Sequence, residues 1–155
     1  MPNADKNRVS DPQDERAESA HVRGLSAWLA VVRTYQKCSD VLIEGIKPLG
    51  IKLAQHDVLM NLLMTPQQTQ QQLAANSFVT KSHMSSVLTE MADLGWIERT
   101  DSVTDKRSKV IRLTSAGYRL AQRAHAIQAG VVNAMMAPLS DKQINDLEKI
   151  SRNAV

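Results

Sequence analysis

The sequence predicts a mainly α-helical fold that carries one short β-hairpin. Apolar residues recur at helical spacing in five separate segments, and a capping box indicates a sixth, short helix. Two short β-prone runs, Trp96–Arg99 and Lys109–Leu113, flank the polar stretch 100–108. A chain of 155 residues can bury a core of its own, so disulfides or metals are not needed to stabilise it. We therefore expect a helical domain with a hairpin between its fourth and fifth helices.

Composition excludes several classes of function. The formal net charge is +3 and aromatic residues make up only 3% of the chain, which excludes a module that stacks several bases on aromatic rings. Cys38 is the single cysteine and cannot form an intramolecular disulfide, which favours a reducing compartment. The polar N-terminus lacks the apolar segment of a signal peptide, and no apolar run approaches the roughly 18 residues of a membrane span. We expect a cytoplasmic protein.

The first 50 residues predict an unstructured arm followed by one long helix. Residues 1–16 are polar and lack periodicity, so we expect them to be disordered. Apolar residues from Leu25 to Ile46 recur at helical spacing, which predicts a helix over about 17–47. The turn Pro48–Gly50 ends this helix.

A second helix and a short third helix follow. The spacing of Val58, Leu59 and Leu62 predicts a helix over about Ala54–Met64. Thr69 and Gln72 have the spacing of a capping box, in which the Thr hydroxyl accepts from the Gln backbone N–H and the Gln amide reaches back. This box predicts a short helix over 70–76.

The fourth helix, over about 81–94, carries the densest local signal. Thr80 is a suitable N-cap, Val79 and Met84 stand at the positions of a hydrophobic staple, and Gly95 can end the helix in a left-handed conformation. We expect one face of this helix to be buried. That face consists of Met84, Val87, Leu88, Met91 and Leu94.

Two further helices complete the chain. Thr114 can cap a fifth helix, which Pro138 ends, and Ser140 can cap a last helix. The predicted order is four helices, a hairpin and two helices.

The exposed face of the fourth helix carries the main indication of function. It bears Ser82, Ser85, Ser86 and Thr89 with Lys81 at its start, whereas an ordinary solvated face is rich in Glu, Lys and Gln. Small hydroxyl side chains allow a helix to approach base edges in the DNA major groove. With the short third helix before it, this helix forms a helix-turn-helix. The alternative is a hydroxyl-rich face that is exposed by chance.

The hairpin concentrates positive charge. Its basic residues are Arg99, Lys106, Arg107, Lys109 and Arg112, against Asp101 and Asp105. An Arg at a loop tip can enter the minor groove, and Asp105 can hold the Arg107 guanidinium in a fixed orientation. The alternative is a solvated turn held by salt bridges.

Four segments carry a resemblance to a known family. They are QLAANSFVTKSHMS (72–85), MADLGWIER (91–99), DKR (105–107) and LTSAG (113–117). In order and spacing over about residues 20–150 the chain resembles the MarR family of bacterial transcription regulators. The resemblance implies a winged helix-turn-helix homodimer over 17–155, with a DNA-binding lobe over about 52–113. It also implies dimerisation helices over about 17–47 and 114–154, and a wing formed by the two-stranded hairpin.

The resemblance also implies which residues contact DNA. Each subunit would place one recognition helix in the major groove and one wing in the minor groove of a near-palindrome. The family has a Gly where this chain has Phe78, so we expect Asn76 or Ser77 to take the positive φ of the turn. The candidate DNA-binding residues are Thr80, Lys81, Ser82, His83, Ser85, Ser86, Thr89, Arg99, Asp105, Lys106 and Arg107.

The sequence also bears on whether the chain has signs of an enzyme, a metal site or an effector site. We expect no enzyme, because no nucleophile elbow, phosphate-binding loop or carboxylate pair is visible. The four histidines are scattered and form no metal-ligand set, so neither a metal nor a cofactor is expected. Family members commonly bind small aromatic or phenolic acids, and Trp28, Arg33 and Tyr35 could line such a site; core packing and solvation are the alternatives.

The sequence thus predicts a DNA-binding transcription regulator, a repressor that acts as a homodimer and is released by a small aromatic or phenolic ligand. One alternative is an oxidant-sensing regulator that uses Cys38, since some family members sense peroxides with a helix cysteine. The other is a winged-helix protein-interaction module that does not bind DNA.

Overall fold

The computed structural model describes residues 22–77, 79–101 and 109–153. The predicted N-terminal arm and Asp105, Lys106 and Arg107 lie outside these residues. The chain divides into two compact units, residues 1–37 and 38–155. The described part is mainly helical with one small sheet, as the sequence predicts.

Helix α1 spans Leu25–Ile46. The predicted start near residue 17 lies outside the described residues; within them, Gly24, with a left-handed φ of 88°, directly precedes α1. A single 3-10 turn over Lys47–Leu49 follows, and Gly50 ends it with a φ of 70°. Ile46 is the buried residue of α1.

Helix α2 (Leu53–Met64), strand β1 (Gln68–Thr69) and helix α3 (Gln70–Asn76) follow in close succession. The predicted capping box at α3 is confirmed: the Gln72 N–H donates to Thr69 Oγ1 at 3.2 Å, and the Thr69 N–H donates to Gln72 Oε1 at 2.8 Å. Asn76 ends α3 in helical conformation and Ser77 has a φ of −106°. The expected positive φ at Asn76 or Ser77 is therefore wrong, because an extended Ser77 already turns the chain out of the helix.

Buried Gln68 holds the connection between α2 and α3. Its Nε2 donates to the carbonyl oxygens of Asn61 and Thr65 at 3.0 and 2.8 Å, and its Oε1 accepts from Asn76 Nδ2 at 3.1 Å. The donor and acceptor groups of this buried amide are thus both satisfied, as buried polar groups require. The Asn61 carbonyl oxygen also accepts from the Thr65 N–H at 2.9 Å. Gln67 takes the left-handed φ of this loop, at 63°.

Helix α4 (Lys81–Asp93) leads into strands β2 (Ile97–Asp101) and β3 (Lys109–Leu113), which pair antiparallel. Strand β1 pairs with the other edge of β3, so the sheet has three strands in the order β1-β3-β2. The two strands predicted for the wing are confirmed as β2 and β3, whereas the third strand, β1, was not predicted. Its two polar residues form a strand only because β3 offers them a free edge.

Helices α5 (Ser115–Met136) and α6 (Asp141–Asn153) end the described chain. The predicted cap at Thr114 is confirmed, since Thr114 Oγ1 accepts from the Gly117 N–H at 3.0 Å. Ser140 and Gln143 form a similar reciprocal pair before α6. In the second unit, α2, α3, α4, α5 and the sheet enclose one apolar core; its fully enclosed members include Leu59, Leu62, Leu73, Met84, Leu88, Met91 and Ile111. No helix within the described ranges is long and apolar enough to cross a membrane.

Candidate nucleic-acid interface

One face of α4 is buried in the core. Met84, Leu88 and Met91 are fully inaccessible to solvent, and Val87 and Val79 are buried beside them. The predicted apolar stripe is therefore confirmed over its first three turns. Leu94 is an exception, because it is 51% exposed. It follows the last helical residue, where Gly95 turns the chain away from the core with a φ of 70°.

The opposite face of α4 is exposed and rich in hydroxyl groups. Ser82, His83, Ser85, Ser86 and Thr89 all lie at the surface. Four of these side chains line one open depression together with residues of the last turn. Its lining consists of Ser82, Ser85, Ser86, Thr89, Glu90, Asp93 and Leu94.

The N-terminal end of α4 differs from the sequence-based expectation in one respect. Thr80 is the N-cap residue, as predicted, but its side chain does not cap the helix. Thr80 Oγ1 instead lies 3.3 Å from Ser82 Oγ. The first backbone N–H groups of α4 therefore receive no side-chain oxygen from the N-cap residue. Such donors at a helix N-terminus favour an anion such as a phosphate.

Charge is distributed unevenly along α4. The serine side chains occupy its first two turns and Thr89 begins the third, whereas Glu90 and Asp93 lie near its C-terminal end. Lys52 Nζ forms an ion pair with Glu90 at 2.7 Å, which offsets one of these negative charges. A phosphate backbone would be repelled by the remaining carboxylate. The first half of α4 is thus the part suited to a nucleic acid groove.

The strands of the hairpin bring charged side chains into opposite pairs. Arg112 Nε contacts Glu98 at 2.9 Å, and Lys109 forms an ion pair with Asp101. Both pairs are directly opposite in the β2–β3 register. These acids largely offset the positive charges of Lys109 and Arg112.

Arg99 is placed differently from the other strand cations. Its Nη2 donates to Thr89 Oγ1 at 3.5 Å, so it lies beside the exposed face of α4. Among the residues that the structure describes, no carboxylate lies within ion-pair distance of Arg99. Within the described ranges, Arg99 is thus a cation without a carboxylate partner at the junction of α4 and the hairpin.

The residues predicted to bind an effector lie on α1. Trp28 and Tyr35 are 60% and 59% exposed, and Arg33 is exposed as well. Within the chain's first unit, the two aromatic rings are therefore not buried in a core.

Cys38 is half-buried, and its Sγ donates to Met135 Sδ at 2.8 Å. The two sulfur atoms join the later part of α1 to α5. In the described part of the chain, no cluster of three His, Cys, Asp or Glu side chains could hold a metal ion.

His56 is a feature that sequence reasoning missed. It is buried on α2, and its Nε2 has no hydrogen-bond partner among the residues described. Burial, and secondly the charge of His125 on α5, lower the pKa of His56 from 6.5. The only sequence signal that could have indicated its burial is its position among the buried residues of α2, between Gln55 and Leu59.

Comparison with known proteins identifies the family. A family model described as MarR family matches residues 49–108. An HTH-type transcriptional repressor of Mycobacterium tuberculosis is 30% identical over 106 residues, which cover 68% of this chain and 76% of that protein.

Two solved structures share the fold. A mutant of MarR from Escherichia coli complexed with operator DNA superposes with a TM-score of 0.74 at 22% identity, covering 94% of this chain and 99% of that one. Bordetella bronchiseptica BpsR, whose DNA binding is regulated by 6-hydroxynicotinic acid, has a TM-score of 0.74 at 13% identity, covering 86% of this chain and 96% of that one. With the family match and the M. tuberculosis relative, these findings show that the chain belongs to the MarR family of winged helix-turn-helix, DNA-binding transcription regulators.

Proposed function

We propose that this protein is a repressor that binds a pseudo-palindromic operator as a homodimer and is released by a small aromatic or phenolic acid. The observation that carries the proposal is the division of α4 into a buried apolar face and an exposed hydroxyl face. The residues proposed to contact DNA are Thr80, Lys81, Ser82, His83, Ser85, Ser86, Thr89, Arg99, Asp105, Lys106 and Arg107.

In this proposal the first half of α4 enters the major groove. Short hydroxyl side chains let the helix backbone approach the base edges closely, and Ser and Thr can address several bases. The uncapped N–H groups at the start of α4 face phosphate oxygens, while Asp93 stays at the groove's edge. The E. coli MarR mutant with a similar fold was solved with operator DNA, which supports this role.

The wing supplies the second contact. Arg107 enters the minor groove, where the negative potential favours a guanidinium, and Lys106 contacts the adjacent phosphates. Arg99 bridges the two contacts, because it lies beside Thr89 and has no described carboxylate partner. Lys109 and Arg112 contribute little, since Asp101 and Glu98 pair with them.

Dimerisation uses the terminal helices, over about 17–47 and 114–154, and leaves residues 52–113 as the DNA-binding lobe. In the first unit, α1 exposes Leu25, Trp28 and Val31. In the second, α6 has no buried residue and exposes Leu147 and Ile150 on one face. Apolar helix faces of this kind need a partner surface. A second copy of the chain supplies it, and its symmetry matches a near-palindrome.

Release by a ligand is the most specific part of the proposal. Trp28, Tyr35 and Arg33 expose two aromatic rings and one guanidinium on α1, groups that suit an aromatic carboxylate. Regulation of BpsR by 6-hydroxynicotinic acid supports a ligand of this class. Repression is supported by the M. tuberculosis relative, which is a transcriptional repressor.

Light scattering and fluorescence anisotropy test the proposal together. We expect the mass of a dimer, and binding to a duplex from the DNA upstream of its own gene that weakens steeply with salt. Arg107→Ala should lower the salt slope, whereas Lys142→Ala on α6 should not. A panel of hydroxybenzoates should release the DNA, and transcription from the same promoter in vitro should fall when protein is added. A monomer that binds no duplex at any salt concentration would instead favour a protein-interaction module.

A further inference from the structure

The hydroxyl groups on α4 differ in the hydrogen bonds that they can offer to DNA. We propose that Ser86 acts only as a hydrogen-bond acceptor and so selects a base with an exocyclic amino group in the major groove, adenine or cytosine. This inference rests on the proposed function, because it concerns which base α4 reads once it lies in the groove.

The geometry of Ser86 fixes the direction of its hydrogen bond. Ser86 Oγ lies 2.8 Å from the carbonyl oxygen of His83, one turn earlier in the helix. A carbonyl oxygen carries no proton, so the Ser86 hydroxyl must donate. A serine hydroxyl has one proton and two lone pairs. Ser86 therefore offers solvent, or a groove, nothing but acceptor lone pairs.

The neighbouring hydroxyl groups are arranged differently. Ser85 Oγ has no hydrogen-bond partner within the described part of the chain, so it can donate or accept. Thr89 Oγ1 donates to the Ser85 carbonyl oxygen at 3.0 Å and also accepts from Arg99, which leaves it one lone pair. Ser82 is paired with Thr80. Ser86 is thus the residue on this face with both of its lone pairs free and its proton engaged.

Only some bases present a hydrogen-bond donor in the major groove, so a Ser86 that can only accept would discriminate between bases. Adenine N6 and cytosine N4 present N–H donors there, whereas guanine N7 and O6, thymine O4 and all phosphate oxygens are acceptors. An acceptor opposite Ser86 would require the hydroxyl to rotate and give up its bond to His83. The loss of one neutral hydrogen bond corresponds to roughly a two- to tenfold weaker affinity. Ser86 should therefore discriminate one position of each half-site by about this factor.

Base analogues test the inference at the level of single atoms. Duplexes that the wild-type protein binds are first selected from a randomised pool. Each adenine or cytosine of the selected half-site is then replaced by purine or 2-pyrimidinone, which lack the amino group. A parallel series uses 7-deazaadenine, which keeps the amino group and loses the N7 acceptor. Dissociation constants are measured for the wild type, Ser86→Ala and, as a matched control on the same face, Ser85→Ala.

We expect one position at which loss of the amino group weakens wild-type and Ser85→Ala binding by roughly two- to tenfold and leaves Ser86→Ala binding unchanged. The 7-deaza series should show no coupling to Ser86. Equal losses in all three proteins at every position, or coupling of Ser86 to the N7 substitution, would overturn the inference while leaving the regulator itself intact. If no duplex is selected at all, the proposed function fails. Because Ser86 is exposed, circular dichroism should confirm that Ser86→Ala keeps its fold.

Discussion

The carbonyl oxygen of Trp96 occupies the space that a β-carbon on Gly117 would need. The same carbonyl accepts from the Thr114 N–H at 3.0 Å, and Thr114 Oγ1 donates to the Gly95 carbonyl oxygen at 2.7 Å. The first turn of α5 is therefore bonded directly to the segment that joins α4 to the hairpin. The two elements proposed to contact DNA are α4 and the hairpin. Their placement relative to α5 therefore depends on this junction.

Gly117→Ala should destabilise the protein by about 1–3 kcal/mol, because a backbone carbonyl has to move to admit the new methyl group. Gly130 provides a control in the same helix, since a β-carbon there meets nothing within 4 Å. Gly130→Ala should stabilise by about 0.5–1 kcal/mol through helix propensity. Urea unfolding of both variants measures the difference; equal effects would show that the junction tolerates a methyl group.

Gln68→Leu should lower the free energy of unfolding by about 1–3 kcal/mol, because the carbonyl oxygen of Thr65 and the amide of Asn76 would lose their partner. Gln71→Leu, at an exposed position of α3, is the matched control and should change stability by less than about 0.5 kcal/mol. Chemical denaturation compares the two. A Gln68→Leu protein as stable as the control would mean that the bonds of the buried amide do not hold the loop.

Arg99→Gln should reduce the slope of log K against log salt by about 0.9, the value for one lost phosphate contact. Arg112→Gln should leave the slope nearly unchanged, because Glu98 already pairs with Arg112 at 2.9 Å. Anisotropy titrations at four or more salt concentrations give both slopes. A larger slope change for Arg112 than for Arg99 would contradict the assignment of charges on the hairpin.

Stability should decline as pH falls below about 6.5, because burial and then His125 lower the pKa of His56 from 6.5. In the window between that lowered value and 6.5, the unfolded chain binds a proton that the folded chain does not, so acid favours unfolding. His56→Gln should flatten the dependence, while His83→Gln, on the exposed face of α4, should preserve it. Urea unfolding at pH 7.5, 6.5 and 5.5 provides the measurement; an unaltered pH dependence in His56→Gln would exclude this histidine as its source.

Local chemistry made much of the fold predictable. The caps at Thr69 and Thr114 and the left-handed Gly95 depend on residues within a few positions of each other, so the sequence alone indicates them. The apolar stripe of α4 is predictable for the same reason. Strand β1 was not, because Gln68 and Thr69 resemble a loop until β3 lies beside them.

The position of the candidate site could be predicted from the sequence. Which of its charged residues are paired could not. The exposed serines of α4 follow from helical periodicity. The pairing of Arg112 with Glu98 depends instead on the hairpin register, and Ser86's bond to His83 depends on a side-chain rotamer. The burial of His56 required knowing that α5 packs against α2. The charge pairing and the burial of His56 join residues that are distant in the sequence, so no local pattern predicts them.

Dimethyl sulfate footprinting of a bound duplex tests the central claim most directly, because the reagent methylates guanine N7 in the major groove. In duplexes with guanines near the half-site centres, we predict two protected patches about one helical turn apart. Protection and binding should both be lost in Ser85→Asp, which places a carboxylate on the exposed face of α4. Full protection by Ser85→Asp, or tight binding by the wild type with no protected guanine, would contradict the placement of α4 in the groove.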